Sequence, residues 1–248
     1  PTPKPLQSEA FVAGDYIFTP KVYNEFSPGN SGNNSYGVRG GGEFNLGSIP
    51  FMLEGSYERW QYPHQCATTT SASGGAAKFA PNCYVTIIGG GGSSPVTTTT
   101  NLYDQDVDLR LAVRVLQPRI YVGVGYIWVA NNYGYPNLNG LGFGGEKLPD
   151  LNHTFSFFGS VWYYPSVNGT ATFNIENPYP STGFTTHSLP LQYDILKYQA
   201  GITLALGNTP LFVEGGWMGD SWSNKQNAPI NRSYNGPFAG IGLRLLYP

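Results

Sequence analysis

Residues 106–115 read Asp-Val-Asp-Leu-Arg-Leu-Ala-Val-Arg-Val, the clearest pattern in this chain of 248 residues. Every second side chain is aliphatic, and the positions between are charged or alanine. Successive side chains of a β-strand point to opposite faces, so a period of two predicts a strand with one apolar and one polar face. The stretch therefore indicates an all-β fold.

The same period recurs along the chain and predicts ten strands. They lie at 11–18, 36–46, 51–58, 106–116, 120–128, 154–163, 169–176, 197–206, 211–222 and 238–247. Short links are predicted at 47–50, 117–118, 165–168 and 207–210, and long polar loops at 19–35, 62–101, 131–150, 177–190 and 223–237. Because short and long connections alternate, all long loops should emerge at one end, with both termini at the other.

Composition narrows the class of protein. Charged residues make up 11% of the chain, against about 25% in an average soluble domain. The net charge of -2 offers no basic surface for phosphate backbones, so we expect no nucleic-acid partner. No apolar run approaches the roughly 18 residues of a transmembrane helix. A membrane β-barrel needs no such run, because only every second residue of its strands faces lipid.

Alternation alone also fits a soluble lipocalin-like barrel or sandwich. The predicted strands, however, are about ten to twelve residues long, enough to cross a bilayer at a tilt, whereas soluble strands average about five to six. Aromatic residues near predicted strand ends suit a lipid–water interface. These are Tyr36, Trp60, Tyr62, Trp128, Tyr133, Tyr135, Trp217, Trp222 and Tyr247. We therefore predict a single antiparallel up-and-down transmembrane β-barrel of about ten strands over 1–248, with a short N-terminal extension at 1–9.

The last predicted strand, Phe238-Ala-Gly-Ile-Gly-Leu-Arg-Leu-Leu-Tyr247, alternates in the manner of a C-terminal barrel strand. With this strand and its overall architecture, the chain resembles the bacterial outer-membrane β-barrel superfamily, although it matches no specific family within it. The resemblance implies a place in the bacterial outer membrane, with the lipid bilayer as a partner and the long loops facing the exterior.

If the apolar faces contact lipid, the charged faces line the lumen. Opposite charges on neighbouring strands should then pair with each other or with water and fix the register. The predicted lumen network comprises Asp15, Arg39, Glu43, Glu54, Glu58, Asp106, Asp108, Arg110, Arg114, Lys197, Glu214 and Arg244. The alternative interpretation is a narrow selective pore.

Cys66 and Cys83 lie in one polar segment rich in Thr, Ser and Gly. We predict a disulfide that staples the loop at 62–101, since a cross-link restricts a long loop and exported proteins meet oxidising conditions. Free thiols are the alternative. Neither cysteine has His or carboxylate neighbours at ligand spacing, so we predict no metal and no cofactor.

Three functions remain open. The first, which we favour, is a non-enzymatic structural or surface-interaction barrel whose loops contact an external ligand or a second copy. The second is a small-solute, porin-like channel. The third is an outer-membrane enzyme with a general base at the external rim, where His64, His153 and His187 are expected beside Asp104 and Asp106. We assign no catalytic residue.

Overall fold

The computed structural model describes residues 8–65, 99–176, 184–207 and 209–247. Twelve strands occupy these ranges: β1 Ser8–Ile17, β2 Lys21–Asn24, β3 Ser27–Ser31, β4 Ser35–Leu46, β5 Ile49–Gln65, β6 Thr99–Leu116, β7 Ile120–Asn131, β8 Leu138–Lys147, β9 Phe155–Glu176, β10 Phe184–Ala205, β11 Leu211–Asn224 and β12 Arg232–Tyr247. The described part of the chain contains no helix that could cross a membrane.

Ten of the strands form one closed antiparallel ring. The order around it is β1, β4, β5, β6, β7, β8, β9, β10, β11 and β12, and β12 pairs with β1 from Tyr247 against Ser8 to Phe238 against Ile17. Each strand hydrogen-bonds to both neighbours, so the ring has no open edge. The predicted all-β, antiparallel ten-stranded barrel is confirmed.

The two faces of β6 show how side chains are sorted. Val107 and Leu111 are 47% and 45% exposed on the outside, whereas Asp108 and Arg110 are 0% and 3% exposed inside. The other barrel strands also expose aliphatic and aromatic residues outward. This arrangement is the reverse of a soluble lipocalin-like barrel, which keeps polar residues outside.

The barrel has a turn end and a loop end. The turn end carries the connections 47–48, 117–119, 148–154 and 206–210, and the loop end carries 18–34, 66–98, 132–137, 177–183 and 225–231. Gly47 and Gly207 adopt φ of 66° and 59° in two turn-end connections, a left-handed conformation that glycine adopts without strain. Several loop-end connections are shorter than the sequence indicated, because the strands extend into the predicted loops.

One strand of the ring was missed. The segment predicted as a loop at 131–150 contains β8, whose inward positions include Gly140, Gly142 and Gly144. A Cβ at Gly142 would lie 2.3 Å from the ring of Tyr164, so the aromatic side chains of β9 occupy the space that β8 leaves empty. Because three successive inward positions of β8 are glycine, the strand shows no polar and apolar alternation over 140–144.

One predicted turn is wrong. Residues 165–168 do not separate two strands, because β9 runs continuously past them. The register against β10 shifts here, and Ser166 has a φ of 60°, which defines a β-bulge. The Ser166 amide donates to Asp194 Oδ1 at 3.0 Å, so a side chain stabilises the bulge. Two predicted strands are one strand, β9, and one strand of the ring, β8, was not predicted. The predicted number of ten is therefore correct.

The long predicted loops also contain more strand than expected. β5 continues to Gln65 and β6 begins at Thr99, so both ends of the loop predicted at 62–101 are strand. Cys66 and Cys83 lie outside the described residues, and their disulfide stays a prediction. Residues 1–7 of the predicted extension are likewise outside them.

The loop predicted at 19–35 contains the β2–β3 hairpin. β1 ends at Ile17, so β12 has no barrel partner on that side beyond Phe238 towards the loop end. The hairpin takes that place, because residues 21–23 of β2 pair with residues 233–235 of β12. The hairpin tip is the turn at 24–27, where Asn24 Oδ1 accepts hydrogen bonds from the amides of Phe26 and Ser27 at 2.9 and 2.8 Å.

Candidate functional site

The inward face of β6 organises the lumen. From the loop end to the turn end it presents Asp104, Asp106, Asp108, Arg110 and, beyond Ala112, Arg114. Each of these five charged side chains forms an ion pair with a residue of another strand or of β6 itself. The polar contacts therefore stack in layers along the barrel axis.

The Arg110 layer lies in the middle of the lumen. Arg110 contacts Asp108 at 2.6 Å, Glu54 at 3.2 Å and Glu146 at 3.1 Å. Trp162 donates its indole N–H to Glu146 at 3.2 Å, and the Arg110 guanidinium lies 5.1 Å from the centre of the Trp162 ring. One cation thus balances three carboxylates contributed by three strands.

The Lys197 layer lies nearer the loop end. The Lys197 ammonium contacts Asp106, reaches Glu58 at 3.3 Å and lies 4.0 Å from Asp220. Lys197 belongs to β10 and Glu58 to β5, which lie opposite each other in the ring of ten. The contact therefore crosses the whole lumen. The oxygens of Glu58, Asp106 and Asp220 come within 4.8 Å of one another, a spacing that suits a cation, and the ammonium already serves that role.

Two further pairs complete the network. Arg39 forms a bidentate pair with Glu214 at 2.5 and 3.3 Å, and its guanidinium lies over the rings of Phe11 and Phe158 at 4.9 and 4.3 Å. Towards the turn end Arg114 contacts Glu43 at 3.0 Å.

Tyr121 also donates to Glu43. Asp15 is buried beside Arg39, with one carboxylate oxygen lacking a hydrogen-bond partner among the described residues. Arg244 differs from the other predicted lumen residues, because it binds the carbonyl oxygens of Leu151, Gly207 and Thr209 at the turn end.

The described side chains fill much of the lumen. A cavity bounded by Asp15, Arg39, Glu54, Glu58 and Arg110, among others, holds about one water molecule. Among the described residues nine buried acidic side chains face five buried basic ones, so the interior carries an excess of carboxylates. Five of these charged residues are missing from the predicted lumen network: Asp104, which was expected at the rim, Arg119, Glu146, Asp220 and Arg232. Asp220 follows Glu214 at even spacing on β11 and could have been predicted, whereas Glu146 and Arg232 lay in segments interpreted as loops.

A mouth cluster, formed by Asp104, Arg232 and the aromatic residues around them, closes the loop end. Asp104 accepts hydrogen bonds from Tyr234 at 2.8 Å, from Tyr62 at 3.1 Å and from Tyr133. Arg232 lies 3.5 Å from Asp104, and its guanidinium contacts four rings at 5.1 to 5.7 Å. These rings belong to Tyr133, Tyr135, Tyr193 and Trp222.

The hairpin tip folds into the mouth cluster. Glu25 forms an ion pair with Arg232, and the ring of Phe26 packs against Tyr133 at a centroid distance of 4.9 Å. Burial raises the pKa of the Tyr135 phenol in the β7–β8 connection to about 12, with the nearby charge of Glu25 adding to the effect. This phenol therefore remains a neutral donor at physiological pH.

The aromatic prediction is partly wrong. Tyr36, Trp128 and Trp217 lie on the outer face as expected, but Trp60, Tyr62, Tyr133 and Trp222 are buried inside the barrel. Alternation predicts which face a side chain takes only within a strand. The ends of β5, β7 and β11 were interpreted as loop or interface, so the pattern was not applied to them. The inward aromatic residues build the mouth cluster instead of an interfacial belt.

The histidines do not form one rim site. His64 lies at the loop end, where its Nδ1 is 3.1 Å from the Phe26 carbonyl oxygen. His153 lies in the β8–β9 connection at the turn end, where it is exposed and 3.4 Å from Asp150. The expectation that both sit at the external rim is therefore wrong, because the missed strand β8 reverses the chain direction. His187 belongs to β10, and the description of the structure does not include its side chain.

The fold and the lumen define a closed ten-stranded barrel with an apolar outside and a charged, filled inside. No protein-family model and no curated protein matches the sequence. Among solved structures, fourteen chains match. One is described as a "TodX deltaS2S3 mutant monoaromatic hydrocarbon channel", with 10% identity, a TM-score of 0.30, and coverage of 98% of this chain and 68% of that chain. We take no functional argument from a similarity at this level.

Proposed function

We propose that this protein is an integral outer-membrane β-barrel with a closed lumen that works at its loop end, as a surface-interaction protein. The observation that carries the proposal is the set of ion pairs that cross the lumen, above all Lys197 with Glu58 on the opposite strand. The proposed role is non-enzymatic.

The membrane assignment rests on the outer surface. Aliphatic and aromatic side chains are exposed on the barrel strands, whose lengths include 12 residues in β7 and 18 in β6. A transmembrane strand needs about 9 to 11 residues. In water the same apolar surface would drive aggregation, whereas in a bilayer it would contact lipid acyl chains. A membrane is therefore the environment in which this barrel is stable.

The closed lumen disfavours a diffusion pore. Passage of a solute would require separating buried pairs such as Arg39–Glu214, whose side chains are 5% and 0% exposed. Removing one partner of such a pair costs about 3 to 5 kcal/mol. A porin-like channel is the second candidate, and only a large rearrangement of these pairs would allow it.

The loop end is the region available for recognition. It carries the longest connections and the mouth cluster, and rigid scaffolds commonly place binding residues on such loops. An external ligand is the proposed partner. Contact with a second copy of the chain would appear as a stable dimer in detergent.

Planar-bilayer conductance tests the closed lumen. The wild-type protein should give no stable steps. A double variant, Arg39→Ser with Glu214→Ser, removes both partners of one buried lumen pair, so neither is left facing an empty place, and small steps from it would show that the preparation inserts. Large, stable steps from the wild type would instead establish a porin.

The orientation needs a separate experiment. An epitope tag inserted in the 225–231 connection should be detected by antibody on intact cells. The same tag in the 148–154 connection, at the opposite end, should be detected only after permeabilisation. The reverse result would place the mouth cluster on the periplasmic side and remove the proposed external role.

A further inference from the structure

Three hydrogen-bond donors in the mouth cluster have no acceptor among the described residues. They are the Trp222 indole N–H, the Tyr193 hydroxyl and the Arg232 Nε–H, on side chains that are 2%, 1% and 3% exposed. A buried donor left unsatisfied costs about 1 to 3 kcal/mol, and such groups are rare in folded proteins. Three such donors on side chains that contact one another indicate a place where an acceptor binds.

The three side chains line one cavity beneath the β7–β8 connection. The Tyr193 and Trp222 rings are 5.4 Å apart at an angle of 66°, and the Arg232 guanidinium lies 5.1 and 5.5 Å from their centres. Tyr135 and Pro136 form the partly exposed side of the cavity, towards the loop end. The enclosed space accepts a group about the size of one water molecule or hydroxyl.

The charges determine which acceptor fits. Glu25 and Asp104 already contact Arg232, so two carboxylates face one guanidinium and a further anion would be repelled. Glu25 Oε2 is a buried acceptor without a hydrogen-bond partner in the described part of the chain. A neutral hydroxyl can accept from the indole, phenol or guanidinium and donate to a carboxylate. Aromatic walls with few polar groups are typical of small-ligand sites.

We propose that this cavity binds a hydroxyl group of a neutral saccharide presented from outside the barrel. One hydroxyl enters between Trp222, Tyr193 and Arg232, and the apolar C–H face of the sugar ring packs against Tyr135. The proposal deepens the proposed function by naming the ligand class, and it rests on the loop end facing outward.

Saturation-transfer NMR on the full chain tests the proposal. The protein is held in a detergent without a sugar headgroup, and the probes are methyl glucopyranoside, methyl galactopyranoside, glucuronate and toluene. At least one neutral pyranoside should receive saturation and outcompete glucuronate. Trp222→Phe and Tyr193→Phe keep the rings but remove one donor each, so each should weaken binding about three- to tenfold.

Trp217→Phe is the matched control, because Trp217 lies on the outer face and is 46% exposed. It should bind the pyranoside as the wild type does, and heat-modifiable electrophoretic mobility verifies that every variant is folded. Absence of saturation in both pyranosides would overturn the proposal, as would preferential binding of glucuronate or toluene, or unchanged affinity in both donor variants. None of these results depends on conductance, so the closed-lumen proposal would stand or fall separately.

Discussion

The two faces of β6 carry opposite chemistry on one backbone. The outer face is aliphatic from Val107 to Val115, while the inner face carries the acids and arginines that hold the layers of the lumen together. In a soluble protein the hydrophobic effect would bury the first face and hydrate the second. The comparison teaches that this barrel has specific ionic pairing inside and an apolar surface outside, the arrangement that the proposed membrane location requires.

The orphaned polar atoms differ along the lumen. In the middle they are mostly carboxylate oxygens, including those of Asp15, Glu54 and Asp220, whereas at the mouth they are mostly donors. Unpaired acceptors in the middle of the lumen can bind protons or the cationic side chains of neighbouring strands. Surplus donors at the mouth suit a ligand that brings its own acceptors. The two levels of the interior therefore differ in the polar groups that they leave without a partner among the described residues.

The largest expected effect comes from the inner face. Arg110→Leu leaves Asp108, Glu54 and Glu146 buried without their shared cation, and we expect a loss of about 3 to 5 kcal/mol in the free energy of unfolding. Denaturant unfolding in lipid vesicles measures it. Arg244→Leu is the control, because Arg244 binds only backbone carbonyls in the described contacts and should cost less. Equal losses would contradict a central role for the Arg110 layer.

On the outer face, Leu111→Arg places a charge in lipid. The expected cost is about 2 to 4 kcal/mol if residue 111 lies near the midplane of the bilayer. Leu116→Arg, at the turn-end limit of β6, should cost only about 0 to 1 kcal/mol. The same unfolding assay compares the two variants. A similar cost at both positions would show that the outer face does not span a membrane.

At the mouth, Tyr234→Phe removes one hydrogen bond to Asp104 and keeps the ring contacts with Trp60 and Trp222. A hydrogen bond to a charged group contributes about 1.5 to 3 kcal/mol, so we expect a loss in that range. Tyr16→Phe, on the outer face, should leave stability unchanged, since its exposed ring keeps the contact with Phe18. No difference between the two variants would show that the phenols do not hold Asp104 in place.

The smallest effect is expected at the hairpin tip. Glu25→Gln removes the charge from a largely buried ion pair with Arg232 but keeps an acceptor oxygen, and Arg232 keeps its contact with Asp104, so global stability should fall by about 1 kcal/mol. Hydrogen exchange of the β2 amides should nevertheless accelerate, because the hairpin loses its attachment to the mouth cluster. Lys21→Gln, on the exposed side of the same hairpin, should not accelerate exchange. Unchanged exchange in Glu25→Gln would mean that β-pairing alone holds the hairpin.

Much of the wall could be predicted from the sequence, because an apolar outer face and a polar inner face impose strict alternation. The faces of β6 and of β4 follow directly from it. β8 could not be recognised, since glycine at its inward positions accommodates Tyr164 and Trp162 and removes the polar half of the pattern. The bulge at Ser166 could not be distinguished from a turn in the sequence, because the feature that stabilises it is a hydrogen bond to Asp194 on the neighbouring strand.

The site was harder to predict than the wall. The charge network consists of inward residues of strands, and period two found most of them. The mouth cluster depends on contacts between distant segments, such as Glu25 with Arg232, which no local pattern encodes. Its aromatic members lie where strands extend beyond their predicted ends, so their burial could be seen only once the barrel was closed.

The central claim, an apolar outside and a filled inside within a membrane, can be tested with the five native tryptophans. Trp128 and Trp217 are each 46% exposed outside, whereas Trp60, Trp162 and Trp222 are at most 2% exposed inside. Single-tryptophan variants, with phenylalanine at the other four positions, are reconstituted in lipids brominated along the acyl chain, and fluorescence quenching is recorded. Strong quenching of Trp128 and Trp217 with little quenching of Trp162 is the predicted result. Equal quenching of all three, or stronger quenching of Trp162, would contradict the account.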